Sequence, residues 1–174
     1  MTVVTHAGGM RFVGQGASGH DVVMDADEAN GGHDAAARPV EVLLSSLGAC
    51  TGMDVVSFLR KSQNVPAAFR VEITDERATE YPKVLKRIHL AYVVDGGVPK
   101  EQLKKAIELS LTKYCPIANS LAGVAEITYE MRYELGSAVA GLLENPLDVD
   151  VRSDVIDGIL QRGAGQHPES VKHA

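Results

Sequence analysis

The chain contains no tryptophan, three phenylalanines and five tyrosines. No basic run carries interleaved aromatics, so the stacking platforms used to hold single-stranded nucleic acid are missing. Positive charge is also in deficit: 17 lysines and arginines against 23 acidic residues leave a formal charge of -6. That balance opposes broad attraction to DNA, RNA or an anionic membrane. The N-terminus, MTVVTHAGGMRF, lacks a basic segment followed by an apolar one, which predicts no secretory signal and a cytoplasmic location. The longest apolar stretch, residues 40–59, is interrupted by Glu41, Ser45, Ser46 and Asp54, as suits a buried core helix rather than a membrane span. Cysteine is scarce, with only Cys50 and Cys115 and no C-x-x-C spacing. The six histidines, at positions 6, 20, 33, 89, 167 and 173, show no metal-pair spacing, so neither a metal nor a cofactor is expected.

What is present suits one globular domain with an extension. An apolar share of 45% allows a proper core in 174 residues. Residues 10–26 read as a hairpin and 27–38 as a polar surface loop. Pro39 suits a helix's first turn and predicts a helix to about Ser62, apolar around most of its circumference and so buried on several sides. Alternation at 69–76, 88–92 and 127–135 predicts three strands of an antiparallel sheet with one wet face. An amphipathic helix at 99–114 and a short one at 116–121 fall between the last two. The order describes an α+β domain over residues 1–136. Residues 137–174 read as an appendage, with a weak helix at 152–162 and a disordered end.

The two cysteines carry the candidate chemistry. In a reducing compartment they are either a transient catalytic or sensing pair or two inert core thiols. Cys115 precedes Pro116 at a helix N-terminus, where unpaired N–H groups favour the thiolate. Cys50 lies inside a buried helix with Asp54 one turn on, and both features oppose ionisation. Local physics therefore predicts Cys115 as the more activated thiol.

Three segments add a resemblance. PVEVLLSSLGACTGMDVV (39–56) and KYCPIANSL (113–121) resemble the two cysteine motifs of the OsmC/Ohr family of peroxiredoxin-like thiol proteins, and ASGH (17–20) with Met24-Asp25 is closest to its YhfA-like branch. The resemblance implies antiparallel sheets wrapped around a long central helix in an intertwined homodimer. It also implies a hydroperoxide reductase of oxidative-stress defence, in which Cys50 is peroxidatic, Cys115 is resolving and an external thiol resets the pair.

In that family an arginine, held by the glutamate that follows the helix-opening proline, assists peroxide cleavage. Here Val40 follows Pro39, Glu41 lies about 100° further around the helix, and the hairpin loop Gly16-Ala-Ser-Gly19 has no arginine. Arg11 and Arg38 are the substitutes, and Arg38 is favoured because it borders the helix of Cys50. His20 is expected to hydrogen-bond in the hairpin turn, and Gly14-x-Gly-x-x-Gly19 precedes a strand, unlike a dinucleotide fingerprint. The alternative to an enzyme is a dimeric small-molecule-binding or redox-sensing module.

Overall fold

The computed structural model describes residues 1–95 and 97–134; the expected helix at 152–162 and the rest of the appendage lie outside them. Three short strands come first. β1 (Val3–His6), β2 (Phe12–Gln15) and β3 (Asp21–Met24) form an antiparallel meander. The predicted hairpin is β2–β3, and β1 extends it. Gln15, rather than His20, ties its turn, donating to Asp21 Oδ1 at 2.8 Å and to the Gly19 carbonyl at 3.4 Å. The small sheet is open on both faces: Gly14 is its one buried residue, while Val3, Val4, Phe12, Val22 and Val23 are exposed.

The loop after β3 is held by Asp25, which is 2% exposed. Its carboxylate accepts from the backbone N–H groups of Ala26, His33 and Ala35 at 2.9–3.2 Å. Burial alone would raise its pKa, but these three donors outweigh burial and hold it below the usual carboxylate range. The loop delivers the chain to α1 (Pro39–Lys61), which starts with Pro39 in its first turn and ends with Arg60 and Lys61 in its last.

The second sheet runs β4-β5-β6, with β4 at Phe69–Arg77, β5 at Leu85–Asp95 and β6 at Glu126–Glu134. β4 and β5 are antiparallel, but β5 and β6 are parallel, which corrects the all-antiparallel expectation. The reason is the connection. β5 reaches β6 through α2 (Lys100–Leu109), a π turn (Ser110–Tyr114) and α3 (Pro116–Leu121), and such a crossover returns the chain in its original direction. Alternation at β6 reveals its buried face and not its direction.

The core forms where α1, α2 and α3 cover this sheet. Leu44, Leu47, Val55 and Leu59 of α1 meet Ile88, Leu90, Tyr92 and Val94 of β5 with Leu103 and Ile107 of α2. The sheet's other face is drier at its centre than expected: Ala91 and Val93 are 2% and 1% exposed. They are flanked by Glu72 and Arg70 on β4 and by Glu130 and Arg132 on β6. Ion pairs bridge above them, Arg132 to Glu72 at 2.7 Å and Arg70 to Glu134 at 2.6 Å, and the long side chains shield the small ones.

α1 is long and apolar enough by length and composition to cross a membrane. Its buried residues form one stripe, Leu44-Leu47-Gly48-Thr51-Gly52-Val55-Leu59, packed into the core. Burial on several sides is therefore not reached within one chain. Leu43 remains 38% and Met53 72% exposed, because only one sheet and one helical layer lie against α1.

Candidate functional site

Cys50 sits midway along α1, between two glycines that set the helix close to β4. A Cβ on Gly48 would lie 2.7 Å from Ile73 Cδ1, and one on Gly52 would lie 3.4 Å from Phe69 Cε1. This close seating fixes the rotation of α1 about its axis. It leaves Ala49 and Met53 outward, and Cys50 half-buried at the boundary.

Cys115 arrives from the other side of the core. After Leu109 the helix widens into the π turn Ser110–Tyr114, closed by the Cys115 N–H on the Ser110 carbonyl at 2.9 Å. One-turn π segments insert a residue and re-aim the chain beyond them, and they recur at functional sites. The chain leaves the turn with Cys115 extended, as the cap of α3, and its Sγ accepts the Ala118 N–H at 3.3 Å. Pro116 supplies the fixed φ of the first helical position. Cys115 is fully buried, and its thiol points at Cys50 with 2.7 Å between the sulfurs. Both cysteines are free thiols.

The expected activation of Cys115 is overturned. Burial, then the adjacent Cys50, push the Cys115 thiol up to about 11, although the Ala118 N–H pulls the other way. A six-residue helix offers one good N–H to the sulfur, and complete desolvation outweighs it.

Asp54, one turn beyond Cys50, is engaged rather than free. Ser110, itself fully buried, donates its hydroxyl to Asp54 Oδ2 at 2.8 Å. Beneath the thiols, the buried Tyr92 hydroxyl faces Thr51 without completing a hydrogen bond. Burial, more than any neighbour, raises its pKa to about 12. Nothing in the sequence singles out Ser110, Thr51 or Tyr92: each looks like a packing residue on an apolar stripe, and only their convergence marks them.

Arg38 stands apart from the thiols of its own chain. It precedes α1, twelve residues before Cys50, which is about 18 Å along a helix axis. Three carboxylates surround it: Asp34 at 3.1 Å, Glu41 at 3.2 Å and Asp27 at 3.6 Å. Glu41 also caps α1 by accepting the Arg38 backbone N–H at 2.9 Å. Arg11, the other substitute, lies in the turn just before β2 of the open meander, near Asp25. No group of three or more His, Cys, Asp or Glu able to hold a metal ion occurs among the described residues.

The outward face of α1 borders a groove of about 1170 Å³, lined by Leu44, Ala49, Met53 and Val56 with Phe69 and Val71 of β4. It lies on the exposed side of the helix that carries Cys50.

The comparisons agree on a family. A profile described as OsmC-like protein matches residues 31–130. Protein YhfA of Escherichia coli is 37% identical over 131 residues, which is 75% of this chain and 93% of that protein. Among solved structures, an OsmC like protein from Mycoplasma pneumoniae superposes with a TM-score of 0.63 at 17% identity, covering 76% of this chain and 94% of that one. An organic hydroperoxide resistance protein from Legionella pneumophila gives 0.59 at 13% identity, covering 76% and 96%. These two likenesses concern the fold; the profile and the YhfA match carry the family. The mixed α+β fold with its two sheets matches OsmC-like folds, and the chain belongs to the OsmC-like family.

Proposed function

We propose that this protein is a thiol-dependent reductase of organic hydroperoxides, acting in the cytoplasm in oxidative-stress defence. The observation that carries the reading is the 2.7 Å approach of a half-buried Cys50 to a fully buried Cys115. The accessible thiol is suited to meet substrate, and the inner one to close on it. Cys50 thiolate attacks the distal oxygen of R–O–O–H; the O–O bond breaks, and RO⁻ leaves and takes a proton as ROH. Cys50 is then a sulfenic acid. Cys115 thiolate attacks its sulfur, an S–S bond forms, and hydroxide leaves as water after gaining a proton. An external thiol reductant returns two electrons and two protons to the pair.

A second copy of the chain completes the site in this reading. Two surfaces support a homodimer: the open N-terminal meander, and the uncovered apolar side of α1 with Leu43 and Met53. Arg38, braced by Glu41, is the cation assigned to the partner copy's Cys50, where it would stabilise the leaving alkoxide. Residues 1–136 form the working domain, and 137–174 an appendage to it.

The test is consumption of cumene hydroperoxide by the pure protein with a dithiol reductant, with peptide mapping of the Cys50–Cys115 disulfide. Two thiols that survive excess hydroperoxide at neutral pH would sink the proposal. One observation favours a second reading, a dimeric small-molecule-binding or redox-sensing module: no lysine or arginine hydrogen-bonds to Cys50 among the described residues. Under that reading, Cys50→Ser leaves ligand retention intact.

A further inference from the structure

We propose that Asp54 is a positioning residue for the thiol pair, acting through Ser110. The inference rests on the reading of Cys50 and Cys115 as a redox pair and names what holds the second sulfur against the first. The connections form a closed circuit. Asp54 and Cys50 lie four residues apart on α1, on the same side of the helix. Asp54 Oδ2 accepts the Ser110 hydroxyl at 2.8 Å, and the Ser110 carbonyl accepts the Cys115 N–H at 2.9 Å. Cys115 Sγ then reaches Cys50 Sγ at 2.7 Å. Three of the four links are hydrogen bonds, and one of these is a hydroxyl donated to a carboxylate oxygen, the stronger class.

Asn119 ties the π turn to α3 by donating to the Leu111 and Cys115 carbonyls, but among the described residues only the Asp54–Ser110 and Cys50–Cys115 contacts hydrogen-bond that segment to α1. The π turn is the weak element, because its widened backbone can relax to an ordinary helix and shift every residue after it. A rotation of one position would turn Cys115 by about 100°. Ser110 is the first residue of that turn and is fully buried, and its hydroxyl donates across to Asp54 rather than back to a carbonyl of its own helix, as the Thr112 hydroxyl does to Glu108. The Asp54–Ser110 bond is therefore placed to select the π turn and, through it, the direction of the Cys115 sulfur. Asp54 contacts neither sulfur in this role.

The test separates this inference from peroxidase activity by oxidising with diamide. Its azo bond takes up two electrons and two protons as Cys50 and Cys115 form an S–S bond, so a protein inert to hydroperoxides still reports on the pair. The readout is the equilibrium of that disulfide with the glutathione couple, alongside thermal melting. Asp54→Ala and Ser110→Ala should each lower the disulfide's equilibrium constant about tenfold, the scale of one lost charge-assisted hydrogen bond. Their double variant should lose no more than either alone. Asp54→Asn keeps an oxygen for Ser110 and should stay within about threefold of the parent. Unchanged equilibria in both alanine variants overturn the inference. So does an Asp54→Asn variant that melts like the parent yet loses as much as Asp54→Ala. A parent that forms the disulfide with diamide but ignores hydroperoxide overturns the reductase and leaves the circuit standing.

Discussion

Cys115 Sγ lies 2.7 Å from Cys50 Sγ, 65 residues away in sequence, with the inner cysteine fully buried and the outer one half-buried. In the proposed cycle this asymmetry sets the order of the two thiols. A reagent from solvent meets Cys50 first, and Cys115 can be reached through it.

Removing each sulfur should therefore have different consequences. Cys50→Ser should abolish hydroperoxide consumption, a loss of at least about a thousandfold, since the attacking atom is gone. Cys115→Ser should still consume one equivalent and stall with Cys50 as sulfenic acid, which dimedone trapping and mass spectrometry would detect. Equal inactivation of both variants in the first turnover would contradict the assigned order.

Closure of the disulfide should be pH-dependent. The reactive form of Cys115 is its thiolate, and burial beside Cys50 raises its pKa to about 11. The thiolate fraction climbs roughly tenfold per pH unit below the pKa, and burial persists when Cys50 is a sulfenic acid, so stopped-flow closure rates should still be rising above pH of about 9, where an ordinary thiol levels. A rate that levels at or below pH of about 9 would show an ordinary or lowered pKa.

The loop before α1 should loosen in acid. Its holder, Asp25, has a folded pKa below the ordinary carboxylate value, through the N–H groups of Ala35, Ala26 and His33 and despite burial. A depressed acid stabilises the fold above the unfolded pKa, near about 3.9. That stability is lost as pH falls through the folded value. The amide resonances of His33 and Ala35 should therefore move together only below pH of about 4. Movement near pH 6 would implicate another group.

The same loop leaves no room at Gly32. A Cβ there would stand 1.9 Å from the Ala26 carbonyl oxygen and 2.4 Å from its carbon, while one on Gly16 meets nothing within 4 Å. Gly32→Ala should cost about 1–3 kcal/mol by thermal or urea melting, because backbone must move. Gly16→Ala should be near neutral.

Self-association should depend on the uncovered apolar surfaces. Sedimentation should give a dimer for the parent, and Met53→Asp with Val22→Lys should shift it toward monomer without unfolding it. Both side chains are exposed in the single chain, at 72% and 44%. A monomeric parent at micromolar concentration would remove the partner's Arg38 from the site.

Much of this molecule can be read from its residues in order. Periods of two at β4, β5 and β6 and the Pro39 start of α1 are local signals, each set by which neighbours must be buried or paired. Membership of the OsmC-like family is legible in the two cysteine segments with the hairpin. β1 is not legible, because Val3–His6 is four residues long and exposed throughout, so burial imprints no pattern on it. The parallel pairing of β6 is hidden for another reason. Alternation records a face and not a direction; the helices expected at 99–114 and 116–121 already allowed a parallel crossover, and only the observed register decides it.

The candidate site divides in the same way. Sequence alone determined that Cys50 and Cys115 are the two thiols and that helix elements bear them, since residue identity and local spacing suffice for both. Only the tertiary structure decided that the sulfurs meet, that Cys115 is less acidic than local rules imply, and that Asp54 is bound by Ser110. Desolvation and long-range hydrogen bonds depend on which distant segments pack together, and a linear chain does not display that.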